Sequence, residues 1–248
     1  MKKHFTKKNR AILLGALMLL SGCSSIYMPN VPNTPMLSKS GELHAGGHIS
    51  LRGNASVNTA YAVSDHFGLM LNGSRMNNER NRQSFKHNLL EMGIGYFDTF
   101  GADNTRILEI YAGAGMGNSD RNYQIRNQQD ALDWDRQEYL FSKTFLQVNF
   151  SSSQKKSLRL FQTNFPLNYG TALRISHVNM TSFVRNDVKQ LTEDNIFLEP
   201  VFFTRMALSP TVQIQYTSGS NFGLKSRKFL TAGNSIFTLG LVVNVGNR

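Results

Sequence analysis

The sequence predicts an all-β fold, namely an antiparallel up-and-down transmembrane β-barrel of about ten strands, with eight to twelve possible, over residues 41–248. Three observations support this prediction. Apolar and polar residues alternate with a period of two in many segments, and tight turns alternate with long polar loops. The alternating segments are about nine to twelve residues long, which is the length that a tilted strand needs to cross a bilayer.

The last segment shows the alternation clearly. One parity is apolar and the other is smaller or more polar; the first consists of Phe237, Leu239, Leu241, Val243 and Val245, and the second of Ile236, Thr238, Gly240, Val242 and Asn244. Because successive side chains of a strand point to opposite faces, we expect the first set to face lipid and the second to face the lumen.

The predicted strands lie near residues 42–52, 55–64, 66–76, 86–97, 106–118, 138–150, 167–180, 195–208, 211–219 and 235–246. Tight turns are predicted at 64–66 and 209–210, and long polar loops at 77–85, 119–137, 181–194 and 220–233. The segment 151–166 should be a short turn, yet it is long and contains the apolar run SLRLF. A soluble β-sandwich also alternates, so a lipid-anchored soluble β-barrel that binds a ligand is an alternative.

Charged side chains fall on the parity that should face the lumen: Arg52, Glu91, Glu109, Lys143, Arg174, Glu199 and Arg205. Both signs occur in similar number, which is typical of a narrow lumen filled by ion pairs and hydrogen bonds. The sequence therefore predicts a structural polar network inside the barrel. A narrow channel for small solutes is the alternative.

No catalytic site and no metal site are predicted. His44 and His48 share a strand face, but a separation of about 13 Å is too large for two ligands of one metal ion. His177 lies near a rim of the barrel and leaves an outer-membrane enzyme that modifies lipid or peptide as a less favoured alternative. The Lys and Arg residues are scattered, which argues against a nucleic-acid-binding surface.

The amino terminus has the features of a secretory leader. Basic residues within the first ten positions precede an apolar run at 11–20, which is too short to span a bilayer as a helix. The run ends in Leu20, Ser21, Gly22 and Cys23, which resemble the lipobox of bacterial lipoproteins at all four positions. The resemblance implies cleavage before Cys23 and acylation of its sulfur and of the new amino terminus. This covalent lipid on Cys23 is the only cofactor expected.

Residues 1–22 are thus predicted to be a cleaved signal peptide, and residues 23–40 a lipidated, flexible tether rich in Pro, Asn and Ser. Cys23 is the only cysteine, so a lipidated mature chain would hold no free thiol, as suits an oxidising envelope compartment. The leader contains five basic residues and no acidic one, so its removal lowers the formal charge from +11 to about +6.

The last strand resembles the β-signal that the outer-membrane barrel-assembly machinery reads. Thr238 and Gly240 occupy its polar and glycine positions, and Val243 and Val245 its apolar positions. The strand departs from that signal in lacking a terminal phenylalanine.

Leader, tether and barrel together resemble a small outer-membrane β-barrel lipoprotein, similar in architecture to the compact OmpA- and OmpX-like barrels. The resemblance implies a lipid-anchored location in the outer membrane. It also implies outer-membrane lipids, the lipoprotein-processing machinery and the barrel-assembly machinery as partners. The predicted role is structural or partner-binding, with the loops 119–137 and 181–194 presented to other proteins.

Overall fold

The computed structural model describes residues 26–101, 104–126, 131–160, 162–231 and 235–246, without the side chains of residues 154, 155 and 160. The predicted signal peptide and the lipobox residues Leu20, Ser21, Gly22 and Cys23 lie outside these described residues. In the part of the chain that is described, no helix is long and apolar enough to cross a membrane.

The described residues form twelve β-strands, of which two are only two residues long. In chain order the strands are β1 (Leu43–Ser50), β2 (Asn54–Ala62), β3 (Phe67–Arg80), β4 (Gln83–Phe100), β5 (Arg106–Arg126), β6 (Leu132–Leu160), β7 (Thr163–Arg185), β8 (Val188–Lys189), β9 (Asp194–Ala207), β10 (Val212–Gly219), β11 (Phe222–Gly223) and β12 (Ile236–Val245).

The ten longer strands close into an antiparallel barrel. From β1 to β7 each strand pairs with the next, and β7 then pairs with β9. β9 pairs with β10, β10 with β12, and β12 with β1, which closes the sheet. Each of the ten strands therefore has a hydrogen-bonded partner on both sides, as a hydrocarbon environment requires. The predicted fold class and the predicted count of ten strands are confirmed.

A band of apolar side chains surrounds the outer wall. On β4, the side chains of Leu90, Met92, Ile94 and Tyr96 are 40–63% exposed, and the residues of the other parity point inward. The band continues around the barrel through Leu69, Leu71, Ile110, Met116, Leu146, Val148, Leu173, Ile175, Phe202, Tyr216, Leu239 and Leu241. An apolar surface of this extent is unfavourable in water and favourable in lipid.

The two ends of the barrel differ. The turn end carries the short connections 63–66, 101–105 and 208–211, the start of β1 and the end of β12. The loop end carries the connections 51–53, 81–82 and 127–131 and the longer ones at 186–193 and 220–235.

Two segments that were predicted to be loops are largely strand. β3 and β4 continue to Arg80 and Gln83, and β5 and β6 continue to Arg126 and Leu132, so the connections shrink to 81–82 and 127–131. The prediction of loops over 77–85 and 119–137 was therefore wrong. Beyond the apolar band a strand has no lipid to face, so its sequence loses the alternation that identifies a strand.

The segment 151–166 is a hairpin rather than a turn. β6 and β7 extend past the turn end, with Leu158 opposite Phe165 and Leu160 opposite Thr163. The register of this pairing shifts between Ser152 and Lys156. Residues 157–160 of the apolar run SLRLF are therefore part of β6.

Candidate functional site

The lumen contains the amino-terminal segment of the same chain. Residues 26–37 belong to no strand, and all of them are buried within the ring of ten strands. The prediction of a flexible tether was therefore wrong for these residues. A free tether and an extended lumen segment both lack regular structure, so their Pro- and Asn-rich compositions look alike in a sequence.

The first residues of the segment are anchored near the loop end. Tyr27 stacks on Phe197 with 4.8 Å between the ring centroids, and its hydroxyl donates to Glu199 Oε1 at 3.2 Å. The hydroxyl of Tyr139 donates to the carbonyl oxygen of Ile26. An aromatic pair contributes about 1 kcal/mol beyond the burial of its surface, so Tyr27 fixes this end firmly.

Amide side chains hold the middle of the segment. Asn33 Nδ2 donates to Asn72 Oδ1 at 3.0 Å and to the carbonyl oxygen of Thr59 at 2.9 Å. The carbonyl oxygen of Asn33 accepts from Gln147 Nε2 at 2.6 Å and from Asn149 Nδ2 at 3.1 Å. The segment has no strand partner, so the side chains of the wall supply the partners that its backbone needs.

Two of the predicted lumen residues bind the last part of the segment. Arg205 Nη2 donates to the carbonyl oxygen of Thr34, and at 3.1 Å to its hydroxyl. The backbone N–H of Leu37 donates to Glu109 Oε1 at 3.2 Å, and Glu109 Oε2 accepts from Asn149 at 3.0 Å. Glu109 and Arg205 therefore hold the segment against the wall near the turn end.

Four further predicted lumen residues form one ion cluster. Lys143 Nζ lies 2.7 Å from Glu91 Oε1 and 3.5 Å from Glu199 Oε2. Arg174 Nη1 lies 3.1 Å from Glu91 Oε2 and 4.0 Å from Glu199 Oε2. All four side chains are completely buried, and their charges sum to zero. A charge removed from water needs a partner of opposite sign, so each of these four side chains depends on the others to remain buried.

Arg52 differs from the other six residues predicted for the lumen. It lies exposed in the turn 51–53. β1 ends at Ser50, two residues earlier than the predicted strand, so the parity argument no longer applies at position 52. The prediction of Arg52 in the lumen was wrong.

Sequence reasoning missed the contribution of the segment itself to the lumen. The available signal was the set of apolar side chains among its prolines and asparagines: Ile26, Tyr27, Met28, Val31, Met36 and Leu37. All of them are buried, whereas a solvated linker is poor in such residues.

The loop 220–231 folds over the loop-end mouth. Leu230 is fully buried in the same apolar cluster as Ile26 and Tyr27. The carboxylate of Glu193 accepts hydrogen bonds from the backbone N–H groups of this loop, the one from Leu230 at 2.8 Å. The mouth is therefore covered by a loop that packs directly on the amino-terminal segment.

Asp194, the first residue of β9, ties this loop to the wall. Its carboxylate binds Lys225 Nζ, and it lies 2.5 Å from Arg227 Nη2 and 3.2 Å from His177 Nε2. The hydrogen bonds from Lys225, His177 and Arg227 hold the pKa of Asp194 well below its ordinary value. His177, the candidate for surface catalysis, is thus part of a clamp that holds a loop.

The extended strands at the loop end carry another ion pair, beyond the apolar band. Arg185 donates two hydrogen bonds to Asp135, at 2.7 and 2.9 Å, and Tyr123 donates one at 2.5 Å. Burial raises the pKa of Asp135, but the hydrogen bonds from Arg185 and Tyr123 outweigh this effect and lower the pKa below its ordinary value. This bidentate pair links β6 to β7 and fixes the parts of β5, β6 and β7 that extend beyond the apolar band, which form a rigid arm at the loop end.

The predicted β-signal residues lie on β12, the strand that closes the barrel. Thr238 is buried on the lumen side, and Val243 and Val245 belong to the outward parity. A Cβ atom on Gly240 would lie 2.2 Å from His48 Nδ1, so this position has no room for a side chain. Gly240 therefore has a packing role of its own.

The described residues contain no group of three or more His, Cys, Asp or Glu side chains that could hold a metal ion. No family model matches the chain, and no curated protein matches it. Among solved structures, the translocator domain of the autotransporter NalP from Neisseria meningitidis is similar, at 11% identity and a TM-score of 0.49 over 84% of this chain and 86% of that chain. At these values the likeness supports no conclusion about this chain.

Proposed function

We propose that the protein is an outer-membrane lipoprotein whose barrel is closed by its own amino-terminal segment and has a structural or partner-binding role. The observation that carries the proposal is the complete burial of residues 26–37 inside the ring of strands. The apolar band supports a location in a bilayer. The lipobox-like residues before Cys23 support acylation, and the residues of β12 support recognition by the barrel-assembly machinery.

The contacts of the segment argue against a solute channel. A path through the lumen would require Tyr27 to leave Glu199 and Asn33 to leave Asn72 and Gln147, among other contacts. Each such hydrogen bond is worth about 0.5–1.5 kcal/mol, and a buried donor or acceptor left unpaired costs more. Small fluctuations of the segment are therefore not expected to open a path through the lumen.

The arm at the loop end offers the surface that best fits a protein partner. Large apolar side chains stay exposed there, beyond the apolar band: Leu132 and Trp134 on β6, Val188 on β8, and Leu191 in the connection after β8. The Asp135–Arg185 pair joins β6 to β7 beside them. Exposed apolar residues on a rigid support are typical of protein contact sites. This surface includes parts of the predicted partner-binding segments 119–137 and 181–194.

Planar-bilayer recording of the purified full-length protein tests the proposal. We expect no stepwise conductance from the wild type and intermittent openings from a Tyr27→Ala/Arg205→Ala variant, which loses one anchor of the segment near each end of the lumen. A Leu191→Ala variant, altered on the exposed arm, is the matched control and should stay closed. Gel samples run with and without boiling verify that each preparation holds a folded barrel. Regular open-channel steps from the wild type would contradict the proposal and favour a solute channel.

A further inference from the structure

We propose that the lipid-bearing amino terminus emerges at the loop end, so that the acyl chains on Cys23 insert into the outer, cell-surface leaflet. The inference rests on the proposed lipoprotein function and adds the side of the membrane to it. The barrel then carries the amino terminus of its own chain across the bilayer.

The direction of the segment follows from its contacts. Leu37 binds Glu109 and lies beside Gly68, the second residue of β3 after the turn-end connection 63–66. Ser38 N donates to Glu42 Oε2 at 2.7 Å, immediately before β1 begins. The start of the segment lies at the opposite end, where Ile26 contacts Tyr139 beneath the loop that covers the mouth.

Chain length places Cys23 on the same side as Ile26. Three peptide links separate the two residues, and an extended chain covers at most about 3.6 Å per residue, so their Cα atoms lie within about 11 Å of each other. The apolar band of a membrane barrel is about 25 Å tall. Cys23 therefore cannot reach the turn-end leaflet from the position of Ile26.

The connections at the two ends indicate which end is outside. Membrane barrels carry short turns on the periplasmic side and longer loops outside. Both ends carry connections of five residues or fewer, but the two longer segments between the ten barrel strands, 186–193 and 220–235, both lie at the loop end. The loop end therefore faces the cell surface.

Labelling of intact cells with a membrane-impermeant maleimide tests this topology. Acylation blocks the sulfur of Cys23, so an introduced cysteine is the only reactive thiol. We expect Ser25→Cys to label on intact cells as strongly as Asp187→Cys at the loop end. Ser209→Cys at the turn end should label at least about tenfold less until the outer membrane is permeabilised. Labelling of Ser25→Cys only after permeabilisation would overturn the inference.

Two further measurements make every outcome decisive. If the thiol at position 25 is shielded in both states, an epitope tag inserted after Ser24 replaces it. Antibody binding to intact cells then supports the inference, and binding only after permeabilisation overturns it. Mass spectrometry of the mature amino-terminal peptide tests acylation separately. An unmodified Cys23 would defeat the proposed lipoprotein function, whereas an acylated Cys23 with a periplasmic residue 25 would defeat only the topology.

Discussion

Glu91 and Glu199 each contact both Lys143 and Arg174, at distances of 2.7–4.0 Å and with all four side chains buried. At the scale of residues, this mutual dependence determines which substitutions the lumen tolerates. The cluster is neutral as a whole, so the loss of any one member leaves a buried charge that water cannot reach. Such a loss costs more than the pair itself contributes to stability.

We expect Lys143→Met, which keeps the length of the side chain, to lower the free energy of unfolding by about 3–5 kcal/mol, because it leaves two carboxylates facing one cation. The matched control Arg75→Met removes a positive charge from the exposed outer wall and should change stability by less than about 0.5 kcal/mol. Guanidinium unfolding in detergent micelles, followed by tryptophan fluorescence, measures both. Equal effects of the two substitutions would contradict the ion cluster.

Gly240→Ala should impair closure of the barrel, since its Cβ would lie 2.2 Å from His48 Nδ1. Gly47→Ala on the neighbouring strand is the control, because a Cβ atom there meets nothing within 4 Å. The fraction of protein in the heat-modifiable form measures the effect. Partial recovery in Gly240→Ala/His48→Ala supports the packing role. An unaltered defect in the double variant would instead favour a role for Gly240 in the β-signal alone.

At the scale of elements, the sequence predicts best those strand segments that have one face in contact with lipid. The alternation in β4, β5 and β12 is explicit because one face of each strand must be apolar. The outer parts of β5 and β6 could not be predicted, because strands outside the membrane obey no such rule. Glu91, Glu199 and Arg174 could be assigned to the lumen by parity, but the ion pairs of Arg174 with the two carboxylates and the hydrogen bond from Tyr27 to Glu199 depend on the three-dimensional ring.

The clamp around Asp194 predicts how the covering loop responds to mutation. Asp194→Asn removes the charge that binds Lys225 and Arg227, so trypsin should cut after these residues at least several times faster than in the wild type. Asp187→Asn, in the neighbouring connection, is the control and should leave the rate unchanged. Unchanged cleavage in Asp194→Asn would contradict the clamp.

The clamp around Asp194 also makes the protease resistance of the covering loop depend on pH. Because the pKa of Asp194 is depressed in the folded protein, its stabilising effect is present above the ordinary aspartate pKa of about 3.9 and is lost as the pH falls through the folded value. The loop should therefore resist pepsin at about pH 4 and become sensitive only in stronger acid. The Asp194→Asn variant should be sensitive to pepsin both at about pH 4 and in stronger acid.

At the scale of the whole molecule, the barrel and its amino-terminal segment form a single folded unit. The ring supplies Asn72, Gln147 and Arg205 to the segment, and the segment supplies the side chains that fill the ring. In the described part of the chain, residues 26–37 occupy the lumen, and the charged side chains of the inner wall contact this segment and one another.

The most direct test of this account is a cross-link between the segment and the wall. Asn33 Nδ2 lies 3.0 Å from Asn72 Oδ1, so the thiols of Asn33→Cys/Asn72→Cys should form a disulfide when the protein is refolded under oxidising conditions on a Cys23→Ser background. The control pair Asn33→Cys/Asn88→Cys places its second thiol on the exposed outer wall, on the far side of the barrel strands. We predict an efficient intramolecular link between positions 33 and 72, identified by peptide mapping, and none between 33 and 88. Absence of the 33–72 link in a folded, heat-modifiable barrel would contradict the central claim that residues 26–37 fill the lumen.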